Sequence, residues 1–508
     1  MTLPITDDLA DKLQSLLLYD PSSPLIFSSG LFLFLFAGFL LLYSALGRAQ
    51  TARVLYVVLF SLYFYYKSSG FYFLLLVFVA ASDYWLAHAI ARTERQSARR
   101  WFVALSVAIN LGMLGYFKYT NFFIDLSNQL FGQGFLEFRN IFLPVGISFF
   151  VFQSMSYTID VYRRQLRPLD HWLDYLFYLS FFPQLVAGPI VRARDFIPQI
   201  RQRPFVTREM FGTGVFLILT GLFKKAVISD YISLNFVDRI FDEPLLYSGF
   251  ECLMGIYGYA LQIYCDFSGY SDMAIGIALL LGFRFPKNFD APYKSATITE
   301  FWRRWHISLS SWLRDYLYIS LGGNRKGRVR TYINLLLTML LGGLWHGAAI
   351  RFVLWGALHG VALALHKMWL ALVPGAKISG AQMHPLSRIA GIFLTFNLVC
   401  FGWLMFRAES MQCVELMLHQ IFTNFNPAVI PQALAGYAGV FALIGTGYLL
   451  HMLPGRVDQM ARSVVMRSPL VVQVLMAAVL IWCVMQIKSS DIQPFIYFCL
   501  LYTSPSPR

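Results

Sequence analysis

Charge-free stretches long enough to cross a bilayer recur along the chain, at residues 25–46, 101–117, 331–350, 389–406 and 468–487. One helical crossing takes about 17 to 25 mostly apolar residues. Shorter or lightly charged apolar runs add candidates at 54–66, 69–82, 142–159, 172–191, 210–223, 252–265, 273–283, 352–366 and 436–452. In hydrocarbon the backbone has no water to bond, so lipid-exposed segments are helices or closed barrels. The ten-residue alternating units of a barrel are not seen. The expectation is an all-α polytopic membrane protein with about 11 to 14 membrane segments, some of them re-entrant. Composition agrees, since 13% of the 508 residues are charged and 57% hydrophobic, against about 25% charged in soluble domains.

A formal net charge of +14 raises the question of nucleic acid, but the basic residues cluster between apolar runs, at 48–53, 92–100, 163–167, 192–203 and 325–330. That is the pattern of cytoplasmic loops under the positive-inside rule. With no basic soluble domain carrying interleaved aromatics, the expected partner is the lipid bilayer, with no nucleic acid. The six cysteines, at 252, 265, 400, 413, 483 and 499, show no paired spacing, so reduced core residues and no metal site are expected. The start lacks a basic segment leading into an apolar core with a small-residue cleavage site. Residues 1–24 read instead as an interfacial extension, acidic and weakly amphipathic through "ITDDLADKLQSLLLYD".

Polar chemistry concentrates in the longest interruption, residues 284–330. There Thr297 and Glu300 have the spacing of a capping box, which satisfies orphan backbone donors at a helix start. Continued at 100° per residue, that helix puts Trp302, Trp305, His306, Leu309, Trp312, Leu313 and Tyr316 on one face. Arg304, Ser308, Ser311 and Asp315 fall on the other. By pattern alone this could be an interfacial helix whose histidine only ends an aromatic stripe, with Arg303 and Arg304 meeting lipid headgroups.

His346 lies inside the run 331–350, after Gly342, Gly343 and Trp345 and before Gly347. Small residues there could admit a close backbone or ligand approach, and ionisable groups within spans are functional candidates by default. His359 and His366 are weaker candidates, better read as packed side chains. Asp266, Ser268, Tyr270 and Asp272 in "YCDFSGYSD" could line a cavity, hold a helix break or conduct ions. An imidazole exchanges protons near neutral pH, which serves an acyltransferase and a proton-coupled transporter equally. Composition and periodicity do not separate the two.

The longer motifs do. "LPVGISFFVFQSMSYTIDVYRR" (143–164), "FYLSFFPQLVAGPIVR" (177–192), "YCDFSGYSDMAIGIALLLGFRFPKNFDAPY" (264–293), "ITEFWRRWHISLSSWLRDYLYISLGGNRKG" (298–327), "LLGGLWHGA" (340–348) and "FGWLMFRAES" (401–410) together resemble the membrane-bound O-acyltransferase (MBOAT) superfamily, in its bacterial alginate O-acetyltransferase-like branch. The resemblance runs in matching order from about residue 25 to residue 410. It implies a multi-pass helical fold around a central cavity, spanning residues 25–498, in the bacterial inner membrane. It puts the family's buried essential histidine on His346 and the second motif histidine on His306. Residues 499–508, "CLLYTSPSPR", depart from the ending of such chains, and no function is placed on that atypical tail.

On this resemblance, no cofactor is held permanently. The donor is acetyl-CoA or another acyl thioester, and the acetyl group passes toward an extracytoplasmic polysaccharide such as alginate, cellulose or another exopolysaccharide. The implied partners are a periplasmic SGNH-type acetyltransferase and the polysaccharide synthesis and export machinery. A thioester is already activated, so the site has to position an acceptor hydroxyl, take its proton and stabilise an oxyanion. His346 is the expected proton-handling group, and His306 the expected hydrogen-bond donor to the thioester carbonyl. Arg303, Arg304, Asn324, Arg325 and Lys326 would meet donor phosphates. Asp266, Tyr270, Trp305 and Trp345 would line the cavity. The related alternative is D-alanyl transfer to teichoic acid, and the alternative from another class remains the transporter. The excess of Lys and Arg near the adjoining spans places 284–330 on the cytoplasmic side. A cysteine put at position 326 should therefore react with membrane-impermeant maleimide only after the inner face is exposed, and labelling of intact spheroplasts would reverse this topology.

Overall fold

The computed structural model describes residues 16–21, 24–47, 49–132, 134–373 and 383–487. The tail 499–508 and residues 1–15 of the expected interfacial extension lie outside these. The regular structure among the described residues is all helical, with no strand among them. Five helical runs are long and apolar enough to cross a membrane: Gln50–Arg92, Gln96–Phe131, Arg208–Asp242, Ile350–Leu372 and Pro385–Arg407. Two bent pairs, Pro427–Gly436 with Ala438–Met452 and Gly455–Arg467 with Leu470–Trp482, turn by 92° and 119° and would bring the number to 7. There are fewer such helices than apolar runs because runs join. Residues 54–66 and 69–82 both fall in Gln50–Arg92, which is interrupted at Gly70 (φ 61°).

The chain divides into two compact units, one of residues up to Phe211 with Ile277–Phe285, the other of Gly212–Gly276 and residues from Pro286 onward. The principal helices of the first are α1 (Gly30–Ala45), α2 (Gln50–Ser69), α3 (Phe73–Arg92), α4 (Gln96–Leu114), α5 (Ile147–Tyr162) and α6 (Trp172–Ser180). A fully buried carboxylate, Asp83 of α3, ties this unit together. It accepts hydrogen bonds from Ser106 (2.6 Å) and Asn110 (2.7 Å) of α4 and from Ser154 (2.5 Å) of α5. Ser154 in turn meets the Tyr175 hydroxyl of α6 at 2.7 Å. Where hydrocarbon offers no alternative partner, such interhelical bonds hold helices in register.

In the second unit glycines set the helix crossings. Helices α7 (Arg208–Leu222) and α8 (Gly249–Leu280) meet backbone to backbone. A Cβ on Gly221 would lie 2.5 Å from the Gly269 carbonyl, and one on Gly276 2.6 Å from that of Gly214. The seven-residue spacing is equal on both helices, so two contacts form along one seam. Contrary to the helix break that "YCDFSGYSD" allowed, α8 is continuous through it. Its carboxylates are satisfied by lysines. Asp272 pairs with Lys224 at 2.7 Å and Asp266 with Lys225 at 2.6 Å. The π-helical stretch Phe223–Ser229 inserts the extra residue that turns two consecutive lysines to one neighbour.

Four further elements carry the functional candidates: α9 (Ile298–Arg304), α10 (Ile307–Trp312), α11 (Arg328–His346) and α12 (Ile350–Leu372), followed by α13 (Pro385–Arg407). Helices α11 and α12 form a hairpin closed by glycine. A Cβ on Gly343 would run into the Phe352 carbonyl, one on Gly356 into that of Met339, and one on Gly347 into the Phe352 ring. The glycines around His346 thus serve close backbone approach. Replacing Gly343 by valine should remove most folded protein from the membrane, because the clash is with backbone and cannot be relieved by a rotamer change. Gly445→Ala, where a Cβ meets nothing within 4 Å, should be tolerated. Membrane abundance and the thermal midpoint in detergent measure both.

Candidate functional site

The expected helix start forms, though the return arm of the capping box reaches one residue further back, to Ala296 instead of Thr297. Thr297 accepts from the Glu300 amide at 3.1 Å, and the Glu300 carboxylate accepts from the Ala296 amide at 2.9 Å. The single helix expected beyond it does not. Helix α9 ends at Arg304, Trp305 is extended, and His306 takes a left-handed conformation (φ 42°, ψ 56°) before α10 begins. The physical reason sits 18 residues upstream in the loop from α8. The Asn288 carbonyl accepts from the Ile307 amide at 2.9 Å, and its side-chain Oδ1 accepts from the Ser308 amide at 3.2 Å. Both amides are thereby drawn away from the preceding turn. Ser308, expected on the outer face with Arg304, is buried as a result. A non-glycine residue in this region costs of order 1 to 3 kcal/mol and persists where its surroundings over-determine it.

His306 is fully buried, with Nδ1 3.2 Å from Asn288 Oδ1. Its ring packs 4.7 Å from Phe267 of α8 and 6.3 Å from Trp345 of α11. Burial pushes this imidazole below its ordinary value, so it is neutral near pH 7. His346, the last residue of α11, is 3% exposed. Its ring lies 4.9 Å from that of Trp345, 5.0 Å from Trp355 of α12 and 5.2 Å from Phe406 of α13. The two histidines, 40 residues apart, therefore share one indole, Trp345, between them. Arg351 fixes the end of α13 that carries Phe406 by donating to the Phe406 carbonyl at 3.2 Å and to that of Ala408.

Of the other expected site residues, Trp305 and Trp345 join this cluster, Trp305 lying tilted 4.8 Å from Trp403 and edge-on 5.0 Å from Phe289. From α8 the ring in contact with His306 is Phe267. Asp266 faces Lys225, and Tyr270 is buried. Arg304 is engaged within the chain, with Glu300 at 2.8 Å and the Asp290 carbonyl at 3.1 Å. Arg303, Asn324, Arg325 and Lys326 are exposed. His359 is packed, accepting at Nδ1 from the Trp302 indole N–H at 3.3 Å. His366 meets Thr299 at 2.8 Å. Sequence reasoning missed Asn288, whose partners are visible only once the α8 loop is folded against α10. It also missed Asp83, since a lone aspartate at the edge of an apolar run looks like the end of a span. Among the described residues, no group of three or more His, Cys, Asp or Glu could hold a metal.

Two buried imidazoles packed against tryptophan rings suit proton handling. The comparisons with known proteins bear on what that serves. The family model "MBOAT, membrane-bound O-acyltransferase family" matches residues 146–407, which contain α8 to α13. The chain is 42% identical over 407 residues to the probable alginate O-acetylase AlgI of Pseudomonas aeruginosa, covering 78% of this chain and 75% of that protein. It is 37% identical over 419 residues to the peptidoglycan O-acetyltransferase of Helicobacter pylori, covering 76% and 78%. Against the teichoic acid D-alanyltransferase of Bacillus subtilis the identity is 28% over 284 residues, 53% of this chain and 70% of the relative. With a family model over residues 146–407 that takes in both buried histidines, and relatives of 42% and 37% identity over most of its length, the chain belongs to the membrane-bound O-acyltransferase family and is an O-acyltransferase.

Proposed function

We propose that this protein takes an acetyl group from a thioester on the cytoplasmic side and passes it toward an extracytoplasmic polysaccharide, through a periplasmic SGNH-type acyltransferase. The observation that carries the reading is the pair His306 and His346, both buried and both packed against Trp345. Such a pair can take the proton of an acceptor hydroxyl as it attacks an activated acyl carbon. The relatives named for alginate and peptidoglycan O-acetylation support acetyl as the group and a polysaccharide as its destination. They cover far more of the chain than the D-alanyltransferase does.

Acetyl-CoA fits the donor role, because Arg303 and the exposed Asn324, Arg325 and Lys326 supply donors for phosphate oxygens. Arg304, already held by Glu300 and Asp290, positions the α9 end more than it binds the donor. The inner membrane is the compartment that gives one protein access to cytoplasmic thioester and outer polymer together.

His346→Ala should lower polysaccharide acetylation by about 100- to 10,000-fold, the usual contribution of a general acid or base. His359→Gln, which keeps an acceptor for the Trp302 N–H, should retain most activity. Acetyl content of the extracted polymer and membrane abundance of each variant are measured together, because an orphaned buried partner alone costs about 1 to 3 kcal/mol. Wild-type acetylation by abundant His346→Ala protein would remove His346 from the chemistry. D-alanyl ester in place of acetyl on the polymer would move the reading to the other branch of the family.

A further inference from the structure

We infer that the helix Gly455–Arg467 lies in the inner-leaflet interface, where Arg456 and Arg467 bind the headgroups of anionic phospholipid, and that this anchors the loop leading into α9. The inference goes beyond the acetyl-transfer reading and does not depend on it. The helix is no extension of the span that follows, since the chain turns by 119° between it and Leu470–Trp482. One side of it is seated on α7. A Cβ on Gly212 would lie 2.8 Å from Met466 Cα, and the Thr213 hydroxyl is 3.5 Å from Met466 Sδ. The Arg462 guanidinium lies 5.9 Å from the Phe216 ring. Gly212 is in the first turns of α7, close behind the basic cluster 192–203, so the positive-inside rule puts this contact at the cytoplasmic face.

At 100° per residue the docked side chains Arg462, Val465 and Met466 cover about 100° of the helix surface. Nearly opposite them, Val457, Met460 and Val464 fall within about 60° of one another and are 41%, 67% and 62% exposed. An apolar stripe turned away from the rest of the chain, on a helix running across the span beside it, belongs in the boundary between headgroups and acyl chains. Arg456 and Arg467 are eleven residues apart, so three turns bring them within about 20° of each other, along one edge of that stripe. Both are exposed, and neither has an ion pair among the described residues, whereas Arg462 is held by Asp458 at 3.5 Å. Along the helix one acid faces three arginines, so the excess charge rests on these two. Their planar forks match phosphate oxygens, and the anionic lipid of a cytoplasmic leaflet attracts such residues. The chain just before the helix carries the anchorage inward. The Leu453 carbonyl accepts from Lys294 Nζ at 2.5 Å, and His451 Nε2 accepts from the Tyr293 amide at 3.1 Å. The Tyr293 hydroxyl accepts in turn from the Trp403 indole at 3.1 Å.

A photoreactive side chain at the centre of the stripe reads its neighbours directly. The full-length protein carrying Met460→p-benzoylphenylalanine is placed in nanodiscs of equal phosphatidylglycerol and phosphatidylcholine, irradiated, and its adducts identified by mass spectrometry. Phospholipid adducts are expected, with phosphatidylglycerol favoured about 10-fold. Adding Arg456→Gln and Arg467→Gln should bring the two lipids to near parity, while Arg456→Lys with Arg467→Lys should keep most of the preference. Both arginines are exposed, so the thermal midpoint in detergent should stay at its wild-type value and loss of preference is not loss of fold. Absence of lipid adducts overturns the interfacial placement, and equal capture of the two lipids by the protein with both arginines intact overturns the headgroup site. The anchorage is read by amide exchange of Tyr293 and Lys294, which should be slower with phosphatidylglycerol present than in phosphatidylcholine alone, with the difference removed by the glutamine pair. Equal exchange in the two lipids overturns the anchoring of the loop.

Discussion

A polar group in hydrocarbon has no water to fall back on, and this single constraint organises the molecule. Each buried charge or amide must find its partner within the chain, at a cost of about 1 to 3 kcal/mol for each one left unmade. Asp83 answers with three side-chain donors from two other helices. Asp266 and Asp272 answer with consecutive lysines offered by a π-helical turn. Asn288 answers with the backbone of a neighbouring break. In each case satisfying the polar group also fixes the geometry of helices that apolar packing alone would leave free to slide, since lipid is as apolar as leucine.

Close helix contact depends on the same economy of volume. The seams at Gly221–Gly269 and at Gly343–Gly356 bring backbones together, which lets large aromatics fill the remaining space around the histidines. Trp302, Trp305, Trp345, Trp355 and Trp403 are all under 10% exposed. Their indoles pack against the rings of His306, His346 and His359. Burial makes any dipole aimed at such a ring count for more than it would in water.

How much of this could be read in the sequence depends on the range of the contact. The membrane class followed from apolar runs, and the Thr297 helix start from a three-residue spacing. His346 stood out as an ionisable group inside an apolar run, whereas His306 was picked out by the motif resemblance and not by its local pattern. The break at His306 could not be read, because the periodicity of Trp302, Trp305, Leu309 and Trp312 is helical and all four are indeed buried. The residue that overrides the periodicity is Asn288, distant in sequence and unremarkable in a loop. The same holds for "YCDFSGYSD", which looked like an interruption because Lys224 and Lys225 lie on another helix. Local pattern recorded burial correctly in both places and missed the partner that decides backbone course.

The contrast between His306 and His359 shows why burial and residue type are not enough to assign chemistry. Both rings are fully buried and both contact aromatic partners. The neighbour at Nδ1 differs. His359 faces the Trp302 indole, a group that can only donate, so its Nδ1 is the acceptor and any hydrogen on the neutral ring is at Nε2. His306 faces an amide oxygen, so its hydrogen sits on Nδ1 and its lone pair on Nε2. Two histidines of one core are thereby set in opposite tautomers by single atoms on neighbouring side chains. Burial and residue type are the same at the two positions, and the single atom facing Nδ1 is what sets the rings apart.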